Sequence, residues 1–537
     1  MAHEPTLGPR WQRVLGAWWL LAFVVGAVFA LSPVRDATDN DPAFGPLTAH
    51  ALVHTGSPSL DGFGAAVLIG HPIVVTDGSL DPGAVVTAVG APGWEQLQAA
   101  VEDPDVDVLD YFPWPAALLS VPAVVATDAW AALTGAPDSA QRLAEHDFVL
   151  AHTLSASLVV LGAVLVFRAI GMTVLRAPLG RRRVLANAAA LVVALGTSAW
   201  SVASRALWQH TPSLLVLSVA LLCAVHIDRV ASGAGRCRAA RPDEPAMPAS
   251  SSQRGGGFRF DPWVVGLGAA GIGAAVVRPT NLAFGAIIGV WVLVRRRDAL
   301  VATTVSAAMG ALGSVLVFVG VSWALLGSAI PAYYSAGRLE LGNWFIEAVA
   351  ANWVSPSRGL LLASPVLLLA VPGTIVAWRR VAGSDAAPGG PPTRSLTVAL
   401  WTSVAAVTVS VSAFPQWWAG HAFGPRFMTE AVPQLFVLAL PAVDVVFDPL
   451  RLRAGAPHRR RAVIAAGVVV LLAVSSIGYH AIGSVFGASG CWSAYPVDID
   501  SDPSRVWSIT DAQVLEPVHR ALDPERRAAQ NAVCVKR

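Results

Sequence analysis

The sequence predicts an all-α polytopic membrane protein, and three observations carry that prediction. Of its 537 residues, 54% are hydrophobic and only 13% charged, against roughly 25% charged in soluble domains. Apolar runs of helical length recur from one end of the chain to the other. Arginines, which supply nearly all the basic charge because Lys536 is the only lysine, gather in dense clusters between those runs. The net charge of +2 gives no reason to expect a nucleic-acid partner.

Arg10 and Arg13 precede an apolar run from Trp18 to Leu31. No small-residue cleavage site follows, so the run reads as an uncleaved first span with the N-terminus in the cytoplasm. It leads to a long outer loop, residues 32–147, that holds many acids and very few arginines. Within that loop the stretch from Tyr111 to Ala126 is apolar but short, and Pro113, Pro115 and Pro122 interrupt it. As a span it would turn Arg176 and Arg181 to Arg183 outward, so a re-entrant or interfacial helix is expected. Further spans are expected near residues 148–168, 185–204, 211–228, 263–278, 281–294, 299–326, 358–378, 396–413, 428–446 and 462–482. With the first they make about eleven, and every dense arginine cluster then falls on the cytoplasmic side. The Arg-, Gly- and Ser-rich loop over 229–259 is cytoplasmic and is expected to be flexible. Residues 1–482 thus form a transmembrane domain and 483–537 a small extracytoplasmic C-terminal tail.

Of the four cysteines, none stands in a CxxC or Cys/His metal spacing. Cys491 and Cys534 fall on the outer side, where disulfides persist, and are expected to be bonded to each other. Cys223 in a span and Cys237 in the cytoplasm are not expected to be bridged.

The stretch from Ser32 to Asp61 places Asp36, Asp39 and Asp41 within six residues just outside the first span. Acids there suit a catalytic base on the outer face. Span by span, the expected topology brings Arg205, His210, Arg278, Arg358, His421, Arg426 and Glu430 to that same face. Ionisable groups beside spans are costly unless they face a cavity or partner. Convergent arginines suit an anionic ligand, above all a phosphate. Trp208, Trp344, Trp353, Trp417 and Trp418 also fall in outer loops, where tryptophan belts mark the interface. Trp417 and Trp418, next to Gly420 and His421, suit stacking on a sugar or packing against a polyprenyl chain.

The acidic first loop, the YFPWP segment after it and HAFGPRFMTEAVPQLFVLALP (His421 to Pro441) together resemble the GT-C superfamily, polytopic glycosyltransferases that use lipid-phosphate-linked sugars. SRALWQH (Ser204 to His210), RPTN (Arg278 to Asn281), SPSRGLLLASPVLLLAVPG (Ser355 to Gly373) and YPVDIDSDPSRVWSITDAQ (Tyr495 to Gln513) look like segments of a bacterial, often actinobacterial, subgroup of that type. The resemblance implies a catalytic aspartate in the first outer loop. Asp39, with Pro46 and Leu60–Asp61 downstream, matches best; Asn40–Asp41 departs from the usual pattern, so Asp36 and Asp41 stay open as alternatives. It also implies a plasma-membrane enzyme with a polyprenyl-phosphate sugar as donor. Arg426, Arg358, Arg278 and Arg205 would hold the phosphate, and His210, Trp208, Trp417, Trp418, His421 and Tyr111 would line the substrate pocket. The acceptor is expected to be an envelope glycan, lipid or protein, and transfer to invert the anomeric centre. No cofactor motif is present; first-loop acids could hold a divalent ion through oxygen ligands. A flippase or transporter for a lipid-linked glycan is the alternative from another class. It would favour repeated halves, and no internal repeat is visible. A cell-envelope scaffold is a third reading, but it leaves the first-loop acids unexplained.

Overall fold

A computed structural model describes residues 10–33, 42, 44–60, 62–68, 73–75, 93–103, 105–145, 153–239, 260–334, 339–380 and 390–534. Asp36, Asp39 and Asp41 lie outside these residues. Those described are overwhelmingly helical; the sheet among them pairs Ile73–Val75 antiparallel with Val108–Asp110.

The helices that matter below are α1 (Trp18–Leu31), α2 (Phe44–His54), α3 (Pro115–Thr134), α4 (Ser139–Ala144), α5 (Ser155–Val174), α6 (Leu179–Leu195), α7 (His210–Ala239) and α8 (Pro262–Val277). They continue with α9 (Leu282–Arg295), α10 (Leu300–Leu326), α11 (Phe345–Val354), α12 (Ala370–Arg380), α13 (Arg394–Ser412), α14 (Val432–Val446) and α15 (Arg459–Val485). In the tail lie α16 (Glu516–Leu522) and α17 (Pro524–Cys534).

Among the described residues, seven helical stretches are long and apolar enough to cross a membrane: α3, α5, the first 23 residues of α7, α10, α13, Arg426–Val446 and α15. The protein is therefore an all-α membrane protein. Their composition explains the environment they need. Leu312, Leu316, Val317 and Trp323 on α10, and Leu471 and Val474 on α15, point away from the rest of the chain. Apolar surface on this scale is stable only against lipid or another protein. The other expected spans are shorter helices; α9, with 14 residues, reaches about 21 Å of a hydrocarbon core about 30 Å thick. The stretch expected to span 358–378 is broken. Leu360–Ala363 ends at Ser364, a 3-10 turn covers Pro365–Leu369, and α12 follows. Pro365 explains the break, because it has no N–H to donate and its ring opposes a continuous helix.

The Pro-rich stretch of the first loop is also longer than expected. It forms the 20-residue α3, with Pro115 at the first helical position and Pro122 inside. Proline costs little at a helix start, where the N–H has no partner in any case.

α14 is the centre of the bundle, with every residue from Val432 to Ala442 buried. Against it pack α5, α6, α7, α12 and α13, while α8 and α10 pair at one side. That last pair is held by small residues: a Cβ on Gly310 would sit 1.9 Å from the Val265 carbonyl oxygen, and one on Gly268 2.1 Å from that of Ala307. Such close approach is how helices associate where no hydrophobic drive separates protein from lipid.

The two ends of the bundle differ. At one, Asp228 accepts from the Thr393 N–H (2.8 Å) and hydroxyl (2.7 Å) and pairs with Arg295 (3.2 Å). There too Asn187 donates to the carbonyls of Leu15 and Ala17 and accepts from Arg168. Arg181 and Arg453 also line a cleft at this arginine-rich end. At the other end α2, α4, α11, the 413–431 loop and the tail form a cap, and α3 starts beside it, where Trp114 Nε1 donates to Ser322 Oγ of α10 at 3.0 Å. The tail docks onto the helices: the Ser357 N–H donates to the Val506 carbonyl, the Gln513 N–H to Ser357 Oγ, and Trp507 Nε1 to Glu347 Oε1. Cys491 and Cys534 are disulfide-bonded, their Cα atoms 5.9 Å apart, and Cys223 is a buried free thiol.

Candidate functional site

A buried ionic cluster lies at the capped end, where α7 and α14 begin and α8 ends. Pro279 stops α8 and leaves Arg278 at its C-terminus, while Pro425 opens the 3-10 turn Arg426–Ala431 that carries Glu430. His210 opens α7 directly after Trp208 and Gln209. His210 Nδ1 is 2.8 Å from Glu430 Oε1, and Arg278 Nη1 is 2.8 Å from Glu430 Oε2 and 3.0 Å from His210 Nδ1. The Arg278–Oε2 contact is an ion pair rather than an aligned hydrogen bond. Nδ1 can serve only one neighbour. A carboxylate accepts and a guanidinium donates, so the proton is assigned to Nδ1 and shared with Glu430. His210 Nε2 is then left with a lone pair.

Aromatic residues wall the cluster. The Arg426 guanidinium carbon stands 4.2 Å from the Trp208 ring centroid and 5.2 Å from that of Phe427, and Arg278 stands 5.3 Å from the same Phe427. Cation–π contact of this kind is worth most when desolvated. The Trp208 indole N–H is buried and has no hydrogen-bond partner among the described residues. Both amide atoms of the buried Gln434, four residues beyond Glu430, are also without one. Buried donors normally find an acceptor, so the site has polar capacity left for a ligand or water. Tyr111 packs edge-on to Tyr333 at 5.6 Å, and the Tyr333 hydroxyl donates to Gln209 Oε1 at 2.7 Å. Burial, with Tyr333 beside it, pushes the neighbouring Tyr334 phenol above its ordinary range.

Arg205 is 0% exposed and engaged otherwise. Its Nη2 donates to the Phe29 carbonyl (2.7 Å), Nη1 to that of Ser32 (3.2 Å) and Nε to Ser204 Oγ (3.0 Å). It therefore pins the C-terminal end of α1 and fixes Ser32, the residue that follows it. A π-helical turn, Ala199–Ala203, precedes it and sets its position.

Arg358 sits in a different cluster. It donates to the carbonyls of Trp418 (2.7 Å) and Gly420 (3.0 Å) and to Gln513 Oε1, and lies over Trp492. Gln513 also accepts from the Gly424 N–H and donates to the carbonyls of Ala422 and Ser489. Arg358 thus latches the tail to the 413–431 loop. Trp417 is buried against Ala348, Ala351, Trp492, Ile499 and Val506, with Trp418 packed beside them. Trp418 Nε1 donates to Asp500 Oδ1, and His421 Nε2 is 3.2 Å from Asp498 Oδ1. The residues expected in one pocket therefore divide into two groups. Arg278, Arg426, His210 and Trp208 meet, with Tyr111 linked to them through Tyr333 and Gln209. Arg358, Trp417, Trp418 and His421 bind the tail.

The sequence marks Glu430 as an ionisable residue without a role, and it assigns none to Gln209, Tyr333 or Gln513. Glu430 and His210 are 220 residues apart, and no local periodicity joins them. A glutamate four residues after an arginine expected at the outer face, at the head of an expected span, is the available signal. No family model, curated protein or solved structure matches the chain.

Proposed function

We propose that the protein is a membrane glycosyltransferase that takes a sugar from a polyprenyl-phosphate donor and passes it to an envelope acceptor on the extracytoplasmic face. The topology behind this reading has about eleven spans, the arginine-rich end in the cytoplasm and the cap outside. One observation carries it: Arg278, Arg426, Trp208 and His210, drawn from three separate segments, converge on one buried polar cluster with an indole N–H to spare.

In this reading Arg426 and Arg278 hold the donor phosphate, with the Trp208 N–H as a further donor, while Glu430 fixes His210 and keeps Arg278 in place. A first-loop acid, Asp39 by preference over Asp36 and Asp41, takes the proton of an acceptor hydroxyl. The oxygen attacks the anomeric carbon, the carbon–oxygen bond to phosphate breaks, and the lipid phosphate leaves with the electron pair. Positive charge at the departing oxygen stabilises what develops there. The supporting link to the acids is Arg205, which fixes Ser32 four residues before Asp36.

Binding tests the donor half. Native mass spectrometry of the detergent-purified chain with added polyprenyl phosphate should show one bound lipid. Losing a hydrogen bond to a charged group costs about 1.5–3 kcal/mol, so Arg426→Gln should weaken binding by about 10–100-fold. Trp208→Phe, which keeps the ring and removes only the N–H, should weaken it by a smaller factor. Equal affinity in the wild type and both variants would remove the cluster from the donor site.

A further inference from the structure

A second group of side chains, in the first-loop part of the cap, is separate from the ionic cluster. His50 and His54 lie one turn apart on α2, their ring centroids 4.2 Å apart. His54 Nε2 stands 3.0 Å from Asp128 Oδ2 on α3. One ring nitrogen from each histidine and one Asp128 oxygen lie within 4.8 Å of one another. Two donors on one tetrahedral zinc lie about 3.3–3.6 Å apart, given bonds of about 2.0–2.2 Å. The His54–Asp128 edge is already that short, and the remaining edges need side-chain motion of about an ångström, with no helix displaced.

Three features single this group out. The partly exposed position of His54 leaves room for water as a fourth ligand and gives an ion a way in. Ser139, at the start of α4, backs two of the three ligands at once. Its hydroxyl is 2.7 Å from His50 Nδ1, and its N–H donates to Asp128 Oδ1 at 2.8 Å. Outer partners of this kind orient ligands in metal sites. The third feature is that no arginine among the described residues pairs with Asp128. In the tail, by contrast, Asp511 and Glu516 are already neutralised by Arg526, and Asp500 is engaged by the Trp418 indole.

We propose that His50, His54 and Asp128 bind a divalent transition ion, zinc by preference, that clamps α2 to α3. Two imidazoles and a carboxylate with an open position suit zinc over magnesium or calcium, which favour all-oxygen sites. Phe44, the first residue of α2, follows Asp41 by three positions, so the clamp also fixes the chain just beyond the acidic stretch. The ion's binding does not rest on the sugar-transfer reading.

The test uses the full chain, purified in detergent through a histidine-free tag, exposed to zinc chloride and then dialysed. Elemental analysis should find about one zinc per chain, and cobalt substitution should give the intense visible bands of a four-coordinate site. His54→Gln should lower zinc affinity by at least about 100-fold, beyond what loss of an outer partner costs. Asp128→Asn should do the same, and zinc should raise the thermal midpoint of the wild type alone. If a variant fails to fold, the cobalt spectrum of the wild type still decides. Octahedral cobalt, no zinc above background, or equal zinc in wild type and variants would overturn the proposal.

Discussion

At the residue scale, the arrangement rests on Glu430, a buried carboxylate held between His210 and Arg278. Removing one partner of a buried ion pair leaves the other charge uncompensated, which costs about 3–5 kcal/mol. Glu430→Gln should therefore lower the thermal midpoint of the detergent-solubilised protein markedly. Arg278→Gln combined with it should recover part of the loss, because no lone charge then remains buried. A double variant as unstable as the sum of the singles would mean that the two residues act independently. Little of this was legible in the sequence. Proximity to outer loops marked Arg278, Arg426 and His210 as companions, yet it marked Arg358 and Arg205 equally. What separates them is where their donors point. Arg358 and Arg205 spend theirs largely on backbone carbonyls, which no residue pattern announces.

At the element scale the sequence was far more informative, because apolar length and arginine punctuation are local properties. The helices follow the expected apolar runs, including α10 and α15 at 27 residues each. The structure departs from the expected runs where proline acts by context. Pro115 and Pro122 sit in a helix that runs on through Thr134, whereas Pro365 breaks the stretch expected to span 358–378. Glycine makes a sharper test of packing. Gly310 faces the α8 backbone, whereas Gly313, one turn on, has nothing within 4 Å. Gly310→Ala should destabilise the protein by about 1–3 kcal/mol or more through overpacking. Gly313→Ala should be neutral or stabilising by up to about 1 kcal/mol, since alanine is the better helix former. Thermal unfolding of the two variants side by side checks this; similar losses in both would mean that α8 and α10 do not approach as closely as described.

At the scale of the whole molecule, the described residues make one end rich in arginine and another covered by α2, α4, α11 and a disulfide-closed tail. Their contrast gives the proposed orientation, and the buried cluster beneath the cap gives the proposed chemistry. The tail's role as part of the lid over the bundle was not legible. Its anchors, such as Gln513 to Arg358 and Trp507 to Glu347, join residues more than 150 positions apart. The central claim is that a first-loop acid at the capped face drives transfer of a sugar from a lipid phosphate. It is tested most directly by reconstituting the wild type and Asp39→Asn in vesicles with a radiolabelled polyprenyl-phosphate sugar and membrane acceptor, and measuring label transferred. The account predicts transfer by the wild type and a loss of about 10²–10⁴-fold in the variant, with insertion and thermal midpoint unchanged. Undiminished transfer in Asp39→Asn, and likewise in Asp36→Asn and Asp41→Asn, would contradict it. So would movement of the intact donor across the vesicle membrane with no sugar released from its phosphate.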